Sequence, residues 1–251
     1  MKGVASPSLL ETYNAERQPV AAQLVKESNE MLRKHAAVWQ ALGIQPPGST
    51  LEERFATMKV LKSASPEGRT ARKLLKERIG DMHHETHALG IERGQVYDSN
   101  AIYAADEPVP FVKQGREAED EMMFYEPSTY PGRRLPHVWL GTPVPGKLHS
   151  TLDVAGKGQF CLFTGIGGEA WKAAASNVAS ELRVPIIASG IGRGLDWEDT
   201  YLNWEDKRGV EEDGAVLVRP DLFVAWRAQT GGSEEACTEK LTHVMKAVLH
   251  L

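Results

Sequence analysis

The sequence predicts a protein of the α+β or α/β class, with a mostly helical N-terminal segment that holds a few strands, followed by a C-terminal domain of alternating strands and helices. Helix-capping signals and apolar residues at helical spacing dominate residues 1–90. Strand-like and helix-like runs alternate in residues 148–251. The intervening Gly141-Thr142-Pro143-Val144-Pro145-Gly146 has the composition of a domain boundary. We therefore expect a first unit at 1–140, a linker at 141–147 and a C-terminal domain at 148–251.

The first helix begins at Ser6-Pro7, since a hydroxyl residue followed by proline is typical of a helix start. Pro19 predicts a kink or a restart near Gln18, because proline lacks the N–H that the helix interior requires. Apolar residues then mark one helix face that ends at Gly43. These residues are Val20, Leu24, Met31, Val38 and Leu42.

Two further helices have clear starting signals. Pro46-Pro47-Gly48 predicts a linker. Thr50-Leu51-Glu52-Glu53 then has the pattern of a capping box, in which the Thr and the second Glu satisfy each other's backbone N–H groups. Ser65-Pro66 opens the next helix.

The pattern changes after residue 95. Residues 96–104 are rich in strand-forming types, and Tyr97, Ser99, Ala101 and Tyr103 would share one face. Residues 106–121 are polar, contain two prolines and predict a loop. Residues 122–125 and 137–140 are candidates for short strands.

The C-terminal domain shows a regular order of elements. The predicted elements are a strand at 159–164, a helix at 169–182, a strand at 184–189, a hairpin of strands at 215–218 and 223–227 around Pro220-Asp221, and a final helix that Ser233 caps. This order, β-α-β followed by a hairpin and a helix, is that of a thioredoxin-like domain.

Composition excludes several classes of function. The chain has 251 residues, a net charge of −5 and a pI of about 5.9, so it lacks the basic surface that nucleic-acid binding requires. No signal peptide and no apolar run near the ~18 residues needed to cross a bilayer are evident, which predicts a cytoplasmic protein with no membrane contact. Cys161 and Cys237 form no Cys-x-x-Cys and are expected to be buried free thiols.

Two glycine clusters deserve comparison with nucleotide sites. Gly165-Ile166-Gly167-Gly168-Glu169-Ala170 fits the Gly-x-Gly-x-x-Ala pattern between a strand and a helix. However, the next strand ends in Ile186-Ile187-Ala188-Ser189-Gly190 and lacks the acidic residue that would bind a ribose, so the simpler interpretation is a tight turn. Gly190-Ile191-Gly192-Arg193-Gly194 predicts a mobile surface loop.

Other catalytic or metal-binding patterns are incomplete. In His83-His84-Glu85-Thr86-His87, His83 and His87 have i, i+4 spacing, but no third ligand is evident. No Gly-x-Ser-x-Gly is present. Thr164-Gly165-Ile166-Gly167 occupies the place where a thioredoxin-like domain would carry Cys-x-x-Cys, which excludes thiol–disulfide chemistry there. Glu16 and Arg17 predict an ion pair with a neighbouring element.

Several segments together resemble one enzyme family. Residues 9–21 fit the pattern Leu-Leu-x-x-Tyr-x-x-Glu-Arg-x-Pro-Val-Ala, which resembles the long helix after the flavin-binding core of FAD-dependent aromatic hydroxylases, the class A flavoprotein monooxygenases. Residues 87–101 and 125–140 resemble two segments of the phenol hydroxylase branch, close to 2,4-dichlorophenol 6-monooxygenase-type enzymes. Residues 165–171 and 218–227 resemble signature turns of that branch's C-terminal domain.

The resemblance implies FAD- and NAD(P)H-dependent hydroxylation of a phenol by the full-length enzyme, with the chemistry supplied by the flavin. The family's Gly-x-Gly-x-x-Gly pattern does not occur in this sequence, and the isolated dipeptides Gly80-Asp81 and Asp213-Gly214 do not resemble the family's Gly-Asp and Asp-Gly flavin segments. We therefore expect this chain to bind neither FAD nor NAD(P)H alone. We assign it no catalytic, cofactor-binding or metal-binding residue.

Three functional alternatives follow. The chain is an inactive C-terminal portion that supports a flavin domain and oligomerisation, a separate subunit that docks onto a flavin-bearing partner, or a stand-alone binding module that uses the turn at residues 165–168. Its expected partner is a flavin-bearing portion or subunit, and a homo-oligomer is left open.

Overall fold

Three long helices occupy most of the first 80 residues of the computed structural model, which describes residues 3–44 and 50–251. They are α1 (Thr12–Ala41), α2 (Leu51–Lys62) and α3 (Pro66–Gly80). A 3-10 turn, Pro7–Glu11, precedes α1, and Ser6 caps it as predicted. The capping box at the start of α2 and the Ser65 cap of α3 are also confirmed. The predicted linker at 46–48 lies outside the described residues.

Pro19 does not restart the first helix. α1 runs unbroken from residue 12 to residue 41 with Pro19 inside it. Because Pro19 has no N–H, the carbonyl group of Ala15 lacks its helical hydrogen bond. Both residues are exposed, so water can bind that carbonyl group instead. The predicted stop is confirmed, because Gly43 follows the helix with a left-handed φ of +78°.

The middle of the chain forms short helices and turns. Its helices are α4 (His83–Thr86), α5 (Leu89–Arg93) and α6 (Gly115–Glu119). The strand predicted at 96–104 is wrong, because Ser99 Oγ accepts a hydrogen bond from Ala101 N and folds the segment into a turn. The strand predicted at 122–125 is wrong for a similar reason: Asp120 Oδ1 accepts hydrogen bonds from the N–H groups of Met122 and Met123.

Two sheets form the C-terminal half. The larger contains β3 (Phe160–Thr164), β4 (Ile186–Gly190), β6 (Ala215–Val218) and β7 (Val224–Ala228), in the order β4-β3-β6-β7. β3 and β4 are parallel, whereas β6 is antiparallel to β3 and to β7. The smaller, ordered β2-β1-β5, contains β1 (Trp139–Gly141), β2 (His149–Ser150) and β5 (Glu198–Asp199). The fold is therefore mixed α/β, and the predicted strand at 137–140 is confirmed in part.

The remaining helices cover the larger sheet. α8 (Glu169–Leu182) and α10 (Glu234–Leu249) pack on one face, around Trp171, Trp226 and Leu241. The short helices α7 (Thr151–Val154) and α9 (Asn203–Lys207) belong to the other side, where Trp204 packs on Phe163. β3 lies between two packed layers, and all of its residues are buried. Its apolar run therefore reflects burial on both faces.

The division into 1–140, 141–147 and 148–251 stays a prediction. Leu135, Val138 and Leu140 lie in the same hydrophobic cluster as Phe163 of β3. β1 pairs with β2 and β5, so residues 141–147 connect two neighbouring strands of one sheet.

Candidate functional site

Glu16 on α1 is a buried carboxylate whose partners come from two distant parts of the chain. Its Oε1 and Oε2 accept hydrogen bonds from Arg219 Nη1 and Nη2 at 2.5 and 2.9 Å. Ser99 Oγ donates to Oε1 at 2.6 Å, and Arg219 also donates to Asp221 Oδ2 at 2.8 Å. Burial opposes the charge on Arg219, but hydrogen bonds and charges from Glu16 and Asp221 outweigh it and raise the Arg219 pKa. The predicted ion pair of Glu16 is thereby confirmed.

Tyr97 packs beside this ion pair. Its ring stacks on Phe223 at a centroid distance of 3.8 Å, with an angle of 11° between the planes. The guanidinium carbons of Arg17 and Arg219 lie 5.4 and 5.7 Å from the ring centroid, within cation–π range. Burial is the main reason that the Tyr97 pKa is raised. Arg17 therefore contacts an aromatic ring.

Gly132 brings a fourth segment to the same place. It has a φ of +88°, and a Cβ here would collide with the carbonyl oxygen of Tyr97. Tyr97 N donates a hydrogen bond to Gly132 O at 2.8 Å. The next residue, Arg133, is fully buried and donates two hydrogen bonds to Glu117, at 2.7 and 3.1 Å.

Residues from the separate segments that carry the family resemblance thus meet in one cluster, which is buried or half-buried except at Arg17. We call it the motif cluster; its members are Glu16, Arg17, Tyr97, Ser99, Gly132, Arg219, Asp221 and Phe223. The sequence pattern marks each segment, but it contains no signal that pairs Glu16 with Ser99 or Arg219. Ser99 donates to Glu16, but Arg219 pairs with both oxygens of the same carboxylate, so these contacts form a structural ion pair. Its ion pair and stacking fix α1 against the C-terminal half.

Beyond the motif cluster, α1 has an exposed apolar stripe. Val25, Leu32 and Trp39 are 62%, 60% and 44% exposed, and their seven-residue spacing places them on one helix face. Every residue from 21 to 30 except Glu27 is exposed. The predicted core stripe is only partly buried, since Val38 is buried whereas Leu24 is exposed.

An apolar hollow lies at the end of α1 against α2. It has a volume of about 330 Å³ and is lined by Leu42, Gly43, Ile44, Leu51, Arg54, Phe55 and Met58. Leu51 and Phe55 are about two-thirds exposed, at 67% and 66%. We refer to the stripe and the hollow together as the helical apolar surface. Apolar surface of this kind marks sites of protein association.

The glycine-rich sequence at 165–168 forms the tight strand-to-helix turn that was predicted. Gly167 has a φ of +85°. A Cβ at Gly168 would collide with the Thr164 side chain, and one at Gly165 would collide with the carbonyl oxygen of Glu212. The protein's own packing therefore requires these glycines.

The second glycine cluster is tied to its surroundings. Gly190 N donates a hydrogen bond to Asp196 Oδ2 at 2.7 Å, and Lys172 Nζ donates to the same oxygen at 2.7 Å. Gly190 and Ile191 are buried. The prediction of a simple surface loop at 190–194 is therefore wrong for its first two residues.

The histidines of α4 connect neighbouring elements. The rings of His83 and His87 lie 6.3 Å apart. His84 Nε2 bonds Asp120 Oδ2 at 2.7 Å, and Glu85 pairs with His35 of α1 at 2.9 Å. Within residues 3–44 and 50–251, no group of three or more His, Cys, Asp or Glu side chains has the geometry of a metal site.

Both cysteines are free and buried, as predicted. Burial raises the pKa of Cys161 to about 12 and also raises that of Cys237. In the described parts of the chain, no helix combines the length and the apolarity that crossing a membrane requires.

Comparison with known proteins identifies similar chains. A family model described as the C-terminal region of aromatic-ring hydroxylases matches residues 128–249. The chain is 40% identical to a phenol 2-monooxygenase of Pseudomonas sp. (strain EST1001), over 92% of this chain and 37% of that protein. It is 38% identical to a 2,4-dichlorophenol 6-monooxygenase of Cupriavidus pinatubonensis, over 91% of this chain and 37% of that protein.

A solved structure is similar along nearly the whole chain. The flavin-dependent monooxygenase PieE, crystallised with FAD and substrate, superposes with a TM-score of 0.84 and is 38% identical. The match covers 99% of this chain and 41% of PieE. The chain therefore spans about two-fifths of the length of these relatives.

Proposed function

We propose that this chain supports the flavin-bearing portion of an FAD- and NAD(P)H-dependent phenol monooxygenase. Residues 128–249 belong to the C-terminal family of aromatic-ring hydroxylases. The chain also resembles the C-terminal portion of phenol-type flavoprotein monooxygenases. In such an enzyme the bound flavin supplies the hydroxylation chemistry. This chain provides a docking surface and a rigid C-terminal domain, and it is inactive alone.

The helical apolar surface is the observation on which this proposal rests. Val25, Leu32 and Phe55 are each 60% or more exposed. A helix of a soluble protein normally turns such a stripe toward a core. Each large apolar side chain buried on docking would contribute up to about 1.5–3 kcal/mol, from which the cost of association is subtracted. A flavin-bearing portion, in the same polypeptide or in a partner, is the occupant that the relatives favour, since PieE binds FAD and is longer than this chain.

We further propose that residues 148–251 form a thioredoxin-like domain without redox activity. The sheet order β4-β3-β6-β7, with β3 and β4 parallel, supports this assignment. A thiol at the start of α8 would be needed for redox activity, and Thr164 to Gly167 stand there instead. On this proposal residues 1–140 extend the flavin and substrate region, and 141–147 link the two.

Complementation tests the docking role. The part of the Pseudomonas phenol 2-monooxygenase that this chain does not match would be produced alone and mixed with this chain. We expect a complex that elutes as one species and contains FAD. The double substitution Val25→Ser and Leu32→Ser should weaken it at least about tenfold. Gln23→Ser with Asn29→Ser is the control, because both side chains are exposed on the same part of α1.

Two results would contradict the proposal. One is a complex that the control weakens as much as the stripe variant. The other is a purified chain that is itself yellow and oxidises NAD(P)H when a phenol is added. Co-purification with a flavoprotein encoded elsewhere would instead favour the separate accessory subunit.

A stand-alone binding module is the remaining alternative. It would use the turn at residues 165–168, where α8 begins without a side-chain cap. Titration with inorganic phosphate and with nucleotides would then show saturable binding that Gly167→Ala weakens. The close packing of Gly165 and Gly168 against the protein argues against this alternative.

A further inference from the structure

A cleft of about 750 Å³ opens at the edge of the larger sheet where β3 and β4 end. After β3 the chain turns at Gly165 into α8, whereas after β4 it turns at Ile191 toward β5. Ligands of open α/β sheets bind at this edge, where the connections of neighbouring strands diverge. The volume also falls within the range of about 300–1,000 Å³ that is typical of small-molecule sites. We call this space the carboxyl-edge cleft.

The apolar part of the cleft is firmly held. Ile191 and Trp204 line it and belong to the buried core beneath. Leu148 and Ile166 line it from two other loops. The 190–196 loop is fixed by the hydrogen bond from Gly190 N to Asp196. The cleft is therefore preorganised to receive an apolar group, with little ordering needed on binding.

The polar part of the cleft contains charges of both signs. Its cations are Arg193 and Arg208, and its carboxylates are Glu198, Asp199, Glu205 and Glu212. Arg193, Glu205 and Glu212 form no side-chain hydrogen bond or ion pair with any described residue. Arg208 donates only from Nε, to Val210 O at 3.0 Å. Its terminal nitrogens thus remain available for a ligand.

Asp199 adds an unpaired acceptor. Its Oδ2 accepts hydrogen bonds from Trp204 N and Glu205 N, at 2.9 and 3.0 Å, at the start of α9. Its Oδ1 is buried and has no partner among the described residues. Because Oδ1 is buried, a ligand in the cleft does not contact it directly, and Asp199 contributes negative charge beneath the cleft.

We propose that the carboxyl-edge cleft binds a small zwitterion with apolar side chains, of the size of a free dipeptide. The ammonium group pairs with Glu212, the carboxylate pairs with Arg193 and Arg208, and the apolar side chains lie on Ile166 and Trp204. A ligand with only negative charge, such as a nucleotide, would meet four carboxylates. A ligand with only positive charge would meet two guanidinium groups. This binding is independent of the docking role.

Calorimetric titration of the intact chain with L-leucyl-L-phenylalanine tests the proposal. We expect saturable binding at one site. N-acetyl-Leu-Phe lacks the ammonium group and Leu-Phe amide lacks the carboxylate, so each should bind at least about tenfold more weakly. Arg193→Gln and Glu212→Gln should each weaken the free dipeptide by about tenfold. Both side chains are exposed and without recorded partners, so the fold should be unaffected.

Matched controls are Lys62→Gln on α2 and Glu235→Gln on α10, which remove the same charges outside the cleft. They should leave the affinity unchanged. The proposal is overturned if no saturable binding occurs up to about 10 mM. It is also overturned if the capped peptides bind as well as the free one, or if the cleft and control variants behave alike.

Discussion

Glu16 and Arg219 stand 203 residues apart and meet in a bidentate ion pair whose side chains are only 5% and 13% exposed. The contact joins the first long helix to the hairpin between β6 and β7. Closing so long a loop costs conformational entropy, which the ion pair, the Ser99 hydrogen bond and the Tyr97 stacking together offset. These contacts fix the orientation of α1 relative to the C-terminal half, which the proposed docking role requires.

Removing the charge of Glu16 should destabilise the protein strongly. Glu16→Gln leaves Arg219 with Asp221 alone, and breaking a buried pair from one side costs about 3 kcal/mol. Urea unfolding followed by far-UV circular dichroism measures this loss. Glu30→Gln removes an exposed pair with Arg33 on the same helix and should cost less than about 1 kcal/mol. Equal effects of the two substitutions would contradict a structural role for the buried pair.

The pair of Arg133 and Glu117 should be at least as sensitive. Their side chains are 0% and 2% exposed, and Arg133 also donates to Glu126 O at 2.8 Å. Glu117→Gln leaves a buried guanidinium without its counter-charge, so we expect a loss of about 3–5 kcal/mol in the free energy of unfolding. Glu119→Gln on the same short helix is the control. A stable Glu117→Gln protein would show that water reaches Arg133.

Local signals were sufficient for much of the fold. The caps at Ser6, Thr50, Ser65 and Ser233 are each satisfied by a hydrogen bond within three residues, so the sequence alone reveals them. The helix predicted at 169–182 matches α8, because its apolar spacing reflects burial against a sheet and α10. The β6–β7 hairpin was predictable for the same reason.

Non-local packing explains what the sequence did not reveal. Residues 96–104 have strand-forming side chains, but Tyr97 is buried by stacking on Phe223 rather than by pairing in a sheet. The motif cluster depends on contacts such as Ser99 with Glu16 that cross 83 residues. Neither periodicity nor capping specifies such partners. The carboxyl-edge cleft likewise brings together loops that are distant in sequence.

Gly168 should not tolerate even alanine. A Cβ there would overlap the Thr164 side chain, whose hydroxyl donates to Gly214 O at 2.7 Å. Thr164 is buried and cannot move away without losing that bond. We expect Gly168→Ala to lower the free energy of unfolding by about 1–3 kcal/mol. Gly80→Ala, at the end of α3 with nothing within 4 Å, should be neutral or stabilising by up to about 1 kcal/mol. The opposite ranking in thermal unfolding would refute this account of the turn.

Asp120 should add to stability in a pH-dependent way. Burial opposes its charge, but the hydrogen bond from His84 and the N–H groups of Met123 and Met122 outweigh it and lower the Asp120 pKa. An acid whose pKa is lower in the folded protein stabilises the fold at pH values above its unfolded pKa of about 3.9. This stabilisation disappears as the pH falls through the folded pKa. Asp120→Asn should therefore flatten the acid limb of the stability curve. Identical limbs for the two proteins would argue against this contribution.

Cys161 should be inert toward thiol reagents in the folded protein. It lies on β3, is 1% exposed, and burial raises its pKa to about 12. Because the thiolate is the reactive form, almost none is present at pH 8, and the packing of β3 also excludes the reagent. Labelling with iodoacetamide should therefore proceed only at the rate of unfolding, and urea should accelerate it sharply. Cys161→Ser removes one of the two labelling sites, so the mass-spectrometric signal of labelled Cys161 is the one that this variant lacks. Rapid modification of Cys161 in native buffer would mean that β3 becomes accessible without global unfolding. It would contradict the burial of β3 between two packed layers.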